Sequence, residues 1–389
     1  YNLKLNGSFT DVFSRNPGIV NRPLLRSLSD INIATISFEL SNKFSKANGG
    51  LILYTTIYRN SINEGFVPSD FPTEYQSIFK ERIFGVRGNE DFTLKNSSIL
   101  SAGFDYSYNA GNILRDYFKN IENNQELLDA NISELSMYAI LKHKFFDVFT
   151  LEGGIRYTNN KSFKNEVTPH LGFVLERERY SVNGKISKGY RSPSIMELYY
   201  GNASNPDLLQ ESAVTYESSI EYNFLDNRLF SKFTLFYIDM WNMVEQKRIM
   251  GIPKNLNTGF SESKGFELDF RYTVNDIWKV TGNYSLTNVS PLTIHVPESI
   301  INLSFLYSKY PFDAVIAYSN AKGYCINIFT KQKNSYSLFD FKGYYHTKIY
   351  GYRSSFFVLC DNLLGESYSI NQGFRMPGVT FFLGFELKL

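Results

Sequence analysis

The chain has 389 residues and a formal charge of +2, which gives no electrostatic case for nucleic acid or for a strongly acidic partner. Its 28 Tyr and 34 Phe bring aromatics to 16%, a high load for an ordinary soluble domain. Mean hydropathy is -0.25, and no run of about 18 apolar residues offers a spanning helix. That combination fits a transmembrane β-barrel, with Tyr and Phe supplying any interfacial girdle because there are only 2 Trp. The two cysteines, Cys325 and Cys360, make neither a disulfide framework nor a metal site. Cys360 reads as a buried thiol, and whether the two are bridged stays open.

Length alone suggests roughly two or three domains. No linker, composition shift or low-complexity block divides the chain, so residues 1–389 read as one barrel domain. From the start, about ten alternating residues, a turn, about ten more and a longer polar loop recur, which is the barrel pattern. Tyr1, Leu3, Leu5 and Phe9 oppose Asn2, Lys4, Asn6 and Ser8, and Ile36, Phe38 and Leu40 oppose Ser37, Glu39 and Ser41. Leu100, Ala102, Phe104, Tyr106 and Tyr108 oppose Ser101, Asp105 and Ser107. The loop Asn112–Asp129 has helical spacing at Ile113, Leu114, Tyr117 and Phe118, and predicts a short helix over the barrel mouth. Further on, Phe266, Leu268, Phe270 and Tyr272 oppose Glu267, Asp269 and Arg271, and Ile301, Leu303, Phe305 and Tyr307 oppose Asn302 and Ser304. Successive side chains on a strand point to opposite faces, so the charges share one face and the apolar rows the other: water inside, lipid outside.

Short turns are expected at Lys95 to Ser98, Phe146-Asp147, Arg177-Glu178, Asp226-Asn227, Asn275-Asp276, Tyr310-Pro311 and Ile349 to Gly351. The alternate connections are long, as at periplasmic and extracellular ends respectively. The count is about eighteen strands, more than a water-soluble barrel can fill with side chains. The last strand has Phe381, Leu383, Phe385, Leu387 and Leu389 opposite Gly384, Glu386 and Lys388. Alone it reads equally as a soluble sandwich edge; in lipid, where a bare edge is costly, it is a closing strand.

Lys188 to Tyr222 carries Tyr190-Arg191-Ser192-Pro193, then Asn205-Pro206-Asp207-Leu208, then Glu211 and an alternating strand. Pro193 and Pro206 cannot donate to a ladder, so strands end there. These boxes resemble the hallmark of TonB-dependent outer-membrane receptors. Other stretches follow the family's order: Ser136 to Tyr157 ending Gly-x-Arg-Tyr, Thr168 to Leu175, Asn257 to Tyr272, Asp361 to Tyr368 and Gly373 to Leu389. The usual Phe and Asp of the fourth are Leu364 and Gly365, and the usual final aromatic is Leu389. The resemblance covers roughly Ser136 to Leu389, the first third agreeing by pattern only.

What the resemblance implies is a bacterial outer-membrane barrel of about 22 strands with a plugged lumen. Neither the plug nor its energy-coupling box is found here, and about four strands are lacking. The expectation is therefore the C-terminal portion of a receptor, with strands closing on themselves as the alternative. The implied function is uptake of a metal chelate, a ferric siderophore first, energised by TonB through a plug outside this sequence. Cobalamin or haem is the alternative cargo; the interval Ser194 to Ser204, where haem receptors usually place a His, has none. A passive porin-like channel is the reading from another class. The partners expected are membrane lipid and the small chelate, with the chain acting as a monomer. Tyr199, Tyr200, Trp241, Tyr324, Phe374 and Arg375, on long loops, are the candidate substrate contacts, because aromatic faces and guanidinium groups suit such ligands.

No enzyme constellation, resident cofactor or metal set is expected. His143, His170, His295 and His346 are scattered, and His170 reads as a solvated lumen residue. No phosphate loop or nucleophile motif is present, and Glu267 with Asp269 reads as a solvated wall.

Overall fold

Alternation of apolar and polar side chains is what the backbone follows. A computed structural model of the chain describes residues 1–15, 18–19, 22–23, 28–63, 75–95, 97–117, 124–327 and 330–388. Among the described strands six shorter ones pair in three two-stranded ribbons, and the other eighteen form one antiparallel sheet. They are β1 (Asn2–Arg15), β2 (Leu28–Lys43), β3 (Ala47–Asn63), β4 (Tyr75–Thr93), β5 (Ser98–Tyr117), β6 (Gln125–Phe145), β7 (Phe149–Asn160), β8 (Glu166–Glu176) and β9 (Tyr180–Arg191). Next come β10 (Glu211–Phe224), β11 (Leu229–Trp241), β12 (Phe260–Thr273), β13 (Trp278–Ser290), β14 (Ser299–Lys309), β15 (Phe312–Asn327), β16 (Gln332–Ile349), β17 (Tyr352–Asp361) and β18 (Thr380–Lys388). A five-residue helix, α1 (Ile195–Tyr199), and a short hairpin of Val244–Ile249 with Ile252–Asn257 lie in the longer connections. The backbone gathers into two compact units. One holds Tyr1–Phe173, Lys185–Thr215 and Asp239–Phe260; the other holds Val174–Gly184, Tyr216–Ile238 and Ser261–Leu389.

In the first unit β1 to β7 pair consecutively. Leu5 sits opposite Phe38, Leu100 opposite Leu141 and Phe104 opposite Met137, so apolar rows run across neighbouring strands. Those rows are exposed, Leu5, Ile36, Met137 and Ile155 among them. The other face carries the polar partners. Ser136 and Thr158 share a buried hydroxyl bond of 2.8 Å, Arg87 and Arg156 lie 3.0 and 3.6 Å from Asp105, and His170 is 3.2 Å from Glu152. His170 thus stands on the polar face, as its parity predicts.

In the second unit β12 to β18 pair consecutively. The apolar row passes from Phe305 to Ile316, Phe341, Cys360 and Phe381, and the polar row from Asp269 to Asn283, Asn302 and Ser319. Asn302 donates to Asn283 at 2.9 Å along that polar row. Phe266 packs between Phe233 and Tyr284 at 5.7 Å from each ring. Phe381, Leu383, Phe385 and Leu387 of the last strand are all exposed, and Leu389 lies outside the described residues. Cys325 and Cys360 are free and buried.

The expected short turns are present, except that Lys95 to Ser98 includes residue 96, which lies outside the described set. Phe146, Asp147, Asp226, Asn227 and Gly351 have the positive φ that tight reversals need, and Asn275 caps its turn by accepting from the Trp278 N–H at 2.9 Å. One further turn, at 44–46, is closed by the Phe44 N–H on the Ala47 carbonyl at 2.7 Å. The predicted helix over Asn112–Asp129 is not formed among the described residues. There β5 and β6 simply run on, pairing Asn112 with Asp129 and Ile113 with Leu128; residues 118–123 lie outside the described set. Ile113 takes the inward position of a strand and is buried, so one apolar residue serves a sheet where spacing suggested a helical stripe.

Candidate functional site: the loop-end wall

The boxes of the middle of the chain build a staple. Arg191, at the end of β9, reaches two carboxylates at once. Its Nε donates to Glu211 at 2.6 Å, and its two terminal nitrogens donate to Glu197 at 2.9 and 3.0 Å, a bidentate fork. Glu211 takes a second donor, the Val244 N–H at 2.6 Å, which ties β10 to the loop hairpin. Glu197 closes a capping box with Ser194 at the start of α1. Burial pushes the Glu197 carboxyl up, but the Arg191 guanidinium and the Ser194 N–H and hydroxyl outweigh it, so the group sits below the usual carboxylate range.

Asparagines carry the staple onward. The Asn205 amide donates to the Asn255 carbonyl at 2.8 Å, and Asn255 returns a bond of 3.2 Å to the Glu197 carbonyl. Asn257 accepts from the Leu209 N–H at 2.7 Å while donating to the Leu209 and Asn242 carbonyls at 2.9 and 2.6 Å. Pro193, Ile195, Leu198 and Leu208 fill the space underneath. Tyr190-Arg191-Ser192-Pro193 and Asn205-Pro206-Asp207-Leu208 are therefore the joints of a folded loop.

Beneath this loop lies a cavity of about 540 Å³. Tyr58, Phe79, Ile113, Leu128, Ile132, Ile195 and Met196 give it apolar walls. Asn60, Glu81, Asn109, Asn112 and Glu134 give it hydrogen-bonding groups, and Lys80 also lines it. A mostly apolar pocket with a few convergent polar groups is the form ligand sites take. None of these residues was expected from the sequence to contact a ligand; Ile113 was read there as part of a helical stripe. Their polar parity was readable, but strand register alone brings Glu81, Asn109 and Glu134 together.

In the second unit Tyr324, expected on a long loop, lies in β15, which runs past its predicted end, and with Tyr336 of β16 and Tyr368 it forms an aromatic cluster. Tyr324 and Tyr336 meet edge to face at 5.7 Å, and Tyr336 and Tyr368 lie 4.4 Å apart. The Tyr324 hydroxyl donates to the Ser369 carbonyl. Asn362 accepts from the Glu366 N–H at 2.7 Å and donates to the Glu366 and Pro377 carbonyls, so the Asp361–Tyr368 box is also a joint.

The expected substrate contacts are placed as follows. Tyr199 is 39% exposed on α1, and Tyr200 meets Phe79 of the cavity wall edge to face at 5.9 Å. Trp241 is half-buried at the end of β11. Tyr324 is only 3% exposed, its ring spent on packing. Arg375 is exposed, Phe374 is half-buried, and their short strand pairs with Ser369, so Tyr324, Phe374 and Arg375 belong to one loop cluster.

An up-and-down antiparallel sheet with an exposed apolar face and a polar face opposite defines a membrane-spanning β-barrel class. Residues 2–363 match the family described as TonB dependent receptor-like, beta-barrel. The chain belongs to that family: it is a TonB-dependent receptor barrel of the bacterial outer membrane, a transport receptor and not an enzyme. Among solved structures it resembles the copper transporter OprC at 13% identity, covering 98% of this chain and 69% of that one, with a TM-score of 0.81. The siderophore receptor PirA from Acinetobacter baumannii matches at 16% identity over 92% of this chain and 62% of that one, TM-score 0.74. The ferric enterobactin receptor PfeA from Pseudomonas aeruginosa matches at 15% identity over 92% and 61%, TM-score 0.72. The chain thus spans less than two thirds of the siderophore receptors it resembles. No curated protein sequence matches it.

Proposed function

We propose that the chain is the barrel of an active transporter for a metal chelate, a ferric siderophore before others, coupled to TonB through a plug segment outside these 389 residues. Family membership is the observation that carries this reading. The cavity under the staple supports it, because a pocket of about 540 Å³ at the loop end is where an arriving chelate meets the wall. The siderophore receptors among the structural neighbours supply the cargo class. In this account residues 1–389 act as one barrel domain, in lipid, as a monomer. Tyr200 against the cavity wall, Tyr199 on α1, Trp241, and Phe374 with Arg375 contact the cargo, while Tyr324 holds the loop that carries the last two.

Copper is the second reading, favoured by the overlap with OprC. A bare transition-metal ion needs a gathered set of protein ligands, and among the described residues no group of three or more His, Cys, Asp or Glu is assembled. A chelate brings its own ligands, so it takes precedence. The test is growth of a strain stripped of its own iron-chelate receptors and expressing the full-length protein. Ferric tris-catecholate, ferric trihydroxamate, haem, cobalamin and copper salts are supplied singly. Growth on a ferric chelate is expected. Growth on none of them, with free passage of unrelated small solutes, refutes the reading in favour of a passive pore.

A further inference from the structure

The cavity under the staple has a chemical bias that its size does not explain. Two carboxylates face it and both retain accepting capacity. Glu81 receives one bond, from the Asn109 amide at 2.6 Å. Glu134 receives two, from Ser192 at 2.7 Å and Asn160 at 2.7 Å, both on the same oxygen. Among the described residues no further donor reaches either group. The Asn109 amide oxygen, in the wall between them, is closed off from water and has no partner. Lys80 also lines the cavity but leaves its strand on the opposite face from Glu81. Around these acceptors the walls are aliphatic and aromatic: Ile113, Leu128, Ile132, Ile195, Phe79 and Tyr58.

We propose that this cavity seats a cationic hydrogen-bond donor on an aliphatic stem, an ammonium or guanidinium group carried by the transported chelate. The stem lies along the isoleucines and Phe79, as long basic side chains lie on apolar surface. The head bridges Glu81 and Glu134, where charge-assisted bonds are strongest. Aromatic walls suit the same cation, through ring faces. A chelate with a high negative charge meets two carboxylates here and is disfavoured, so the cargo at this subsite is neutral or cationic. The inference rests on the transporter reading for the source of the donor, but the site itself stands on Glu81, Glu134 and the cavity.

The test uses full-length receptor in detergent and a matched pair of probes: a linear ferric trihydroxamate ending in a primary ammonium, and the same chelate N-acetylated. Acetylation removes the charge and two donors while leaving the metal centre unchanged. Wild type is expected to bind the ammonium form about tenfold or more tightly. Glu81→Gln is expected to abolish that preference while folding normally, because its amide oxygen still accepts from Asn109. A third probe, 1,5-diaminopentane alone, is read by thermal shift on wild type and Glu81→Gln. Stabilisation of wild type only upholds the cation site even where neither chelate binds, which counts against the cargo reading and not against the site. Equal binding of both chelates, or no effect of the diamine together with no binding of either chelate, overturns the proposal.

Discussion

Leu268→Arg is the perturbation that most directly probes which face of the wall meets lipid. Leu268 lies on β12, 38% exposed, opposite Tyr284. It stands five residues before the strand's end at Thr273. At about 3.3 Å per residue and a tilt near 45°, that places it about 12 Å above the turn. The apolar band of such barrels is about 25 Å tall, so the residue sits near its midplane. Arginine there costs about 2–4 kcal/mol, falling towards zero nearer the interfaces. The neighbouring Glu267 pairs with Ser285 on the polar face, and Glu267→Leu leaves the lipid face unchanged. Urea-dependent folding into phospholipid vesicles, followed by Trp fluorescence, reads both variants against wild type. A loss of about 2–4 kcal/mol for Leu268→Arg with less than about 1 for Glu267→Leu is expected. Equal losses, or a larger one for Glu267→Leu, refute the assigned facing.

Arg191→Ala removes both arms of the staple. The guanidinium is half-exposed, so solvent screening limits the cost to about 1–2 kcal/mol, and residues 242–259 are expected to become the first site of limited proteolysis. Glu197 sets a pH dependence: its folded carboxyl lies below its unfolded value, so its contribution is present above that value, about 4.3, and is lost as pH falls through the folded one. Glu197→Gln is expected to flatten the fall of the thermal midpoint in acid; an unchanged slope contradicts the assignment. A side chain at Gly265 meets the Leu286 carbonyl oxygen and the Phe236 ring, whereas one at Gly7 meets nothing within 4 Å. Gly265→Ala is therefore expected to lower the yield of heat-modifiable folded barrel, and Gly7→Ala to leave it unchanged.

Most of the wall was legible because strand parity is a local property. The row from Leu100 to Tyr108 declares its face in the sequence, and register then sets Leu100 opposite Leu141. Tight turns such as 146–148 and 225–228 were legible for a similar reason, since Asn and Asp mark positive φ. The segment after Asn112 was misread because Ile113, Leu114 and Tyr117 fit a helical stripe as well as a strand that carries on past the barrel's rim. Helix α1 was missed although Ser194 and Glu197 spell its capping box. The residues of the staple's boxes stood out in the sequence, but its long-range bonds did not: Asn205 and Leu209 bond to Asn255 and Asn257, some fifty residues on, and no local pattern names such partners. Tyr324 illustrates the same limit. Read as part of a long connection, Tyr324 lies instead within β15, and an aromatic residue has the same sequence signature whether it greets a ligand or, as here, packs against a neighbouring ring.

Energy dependence separates the proposed transporter from every passive alternative. The measurement is uptake of radioiron-labelled chelate by cells carrying the full-length protein, with TonB intact or deleted. Saturable accumulation that disappears when TonB is deleted is expected; undiminished, non-saturating entry without TonB refutes active transport.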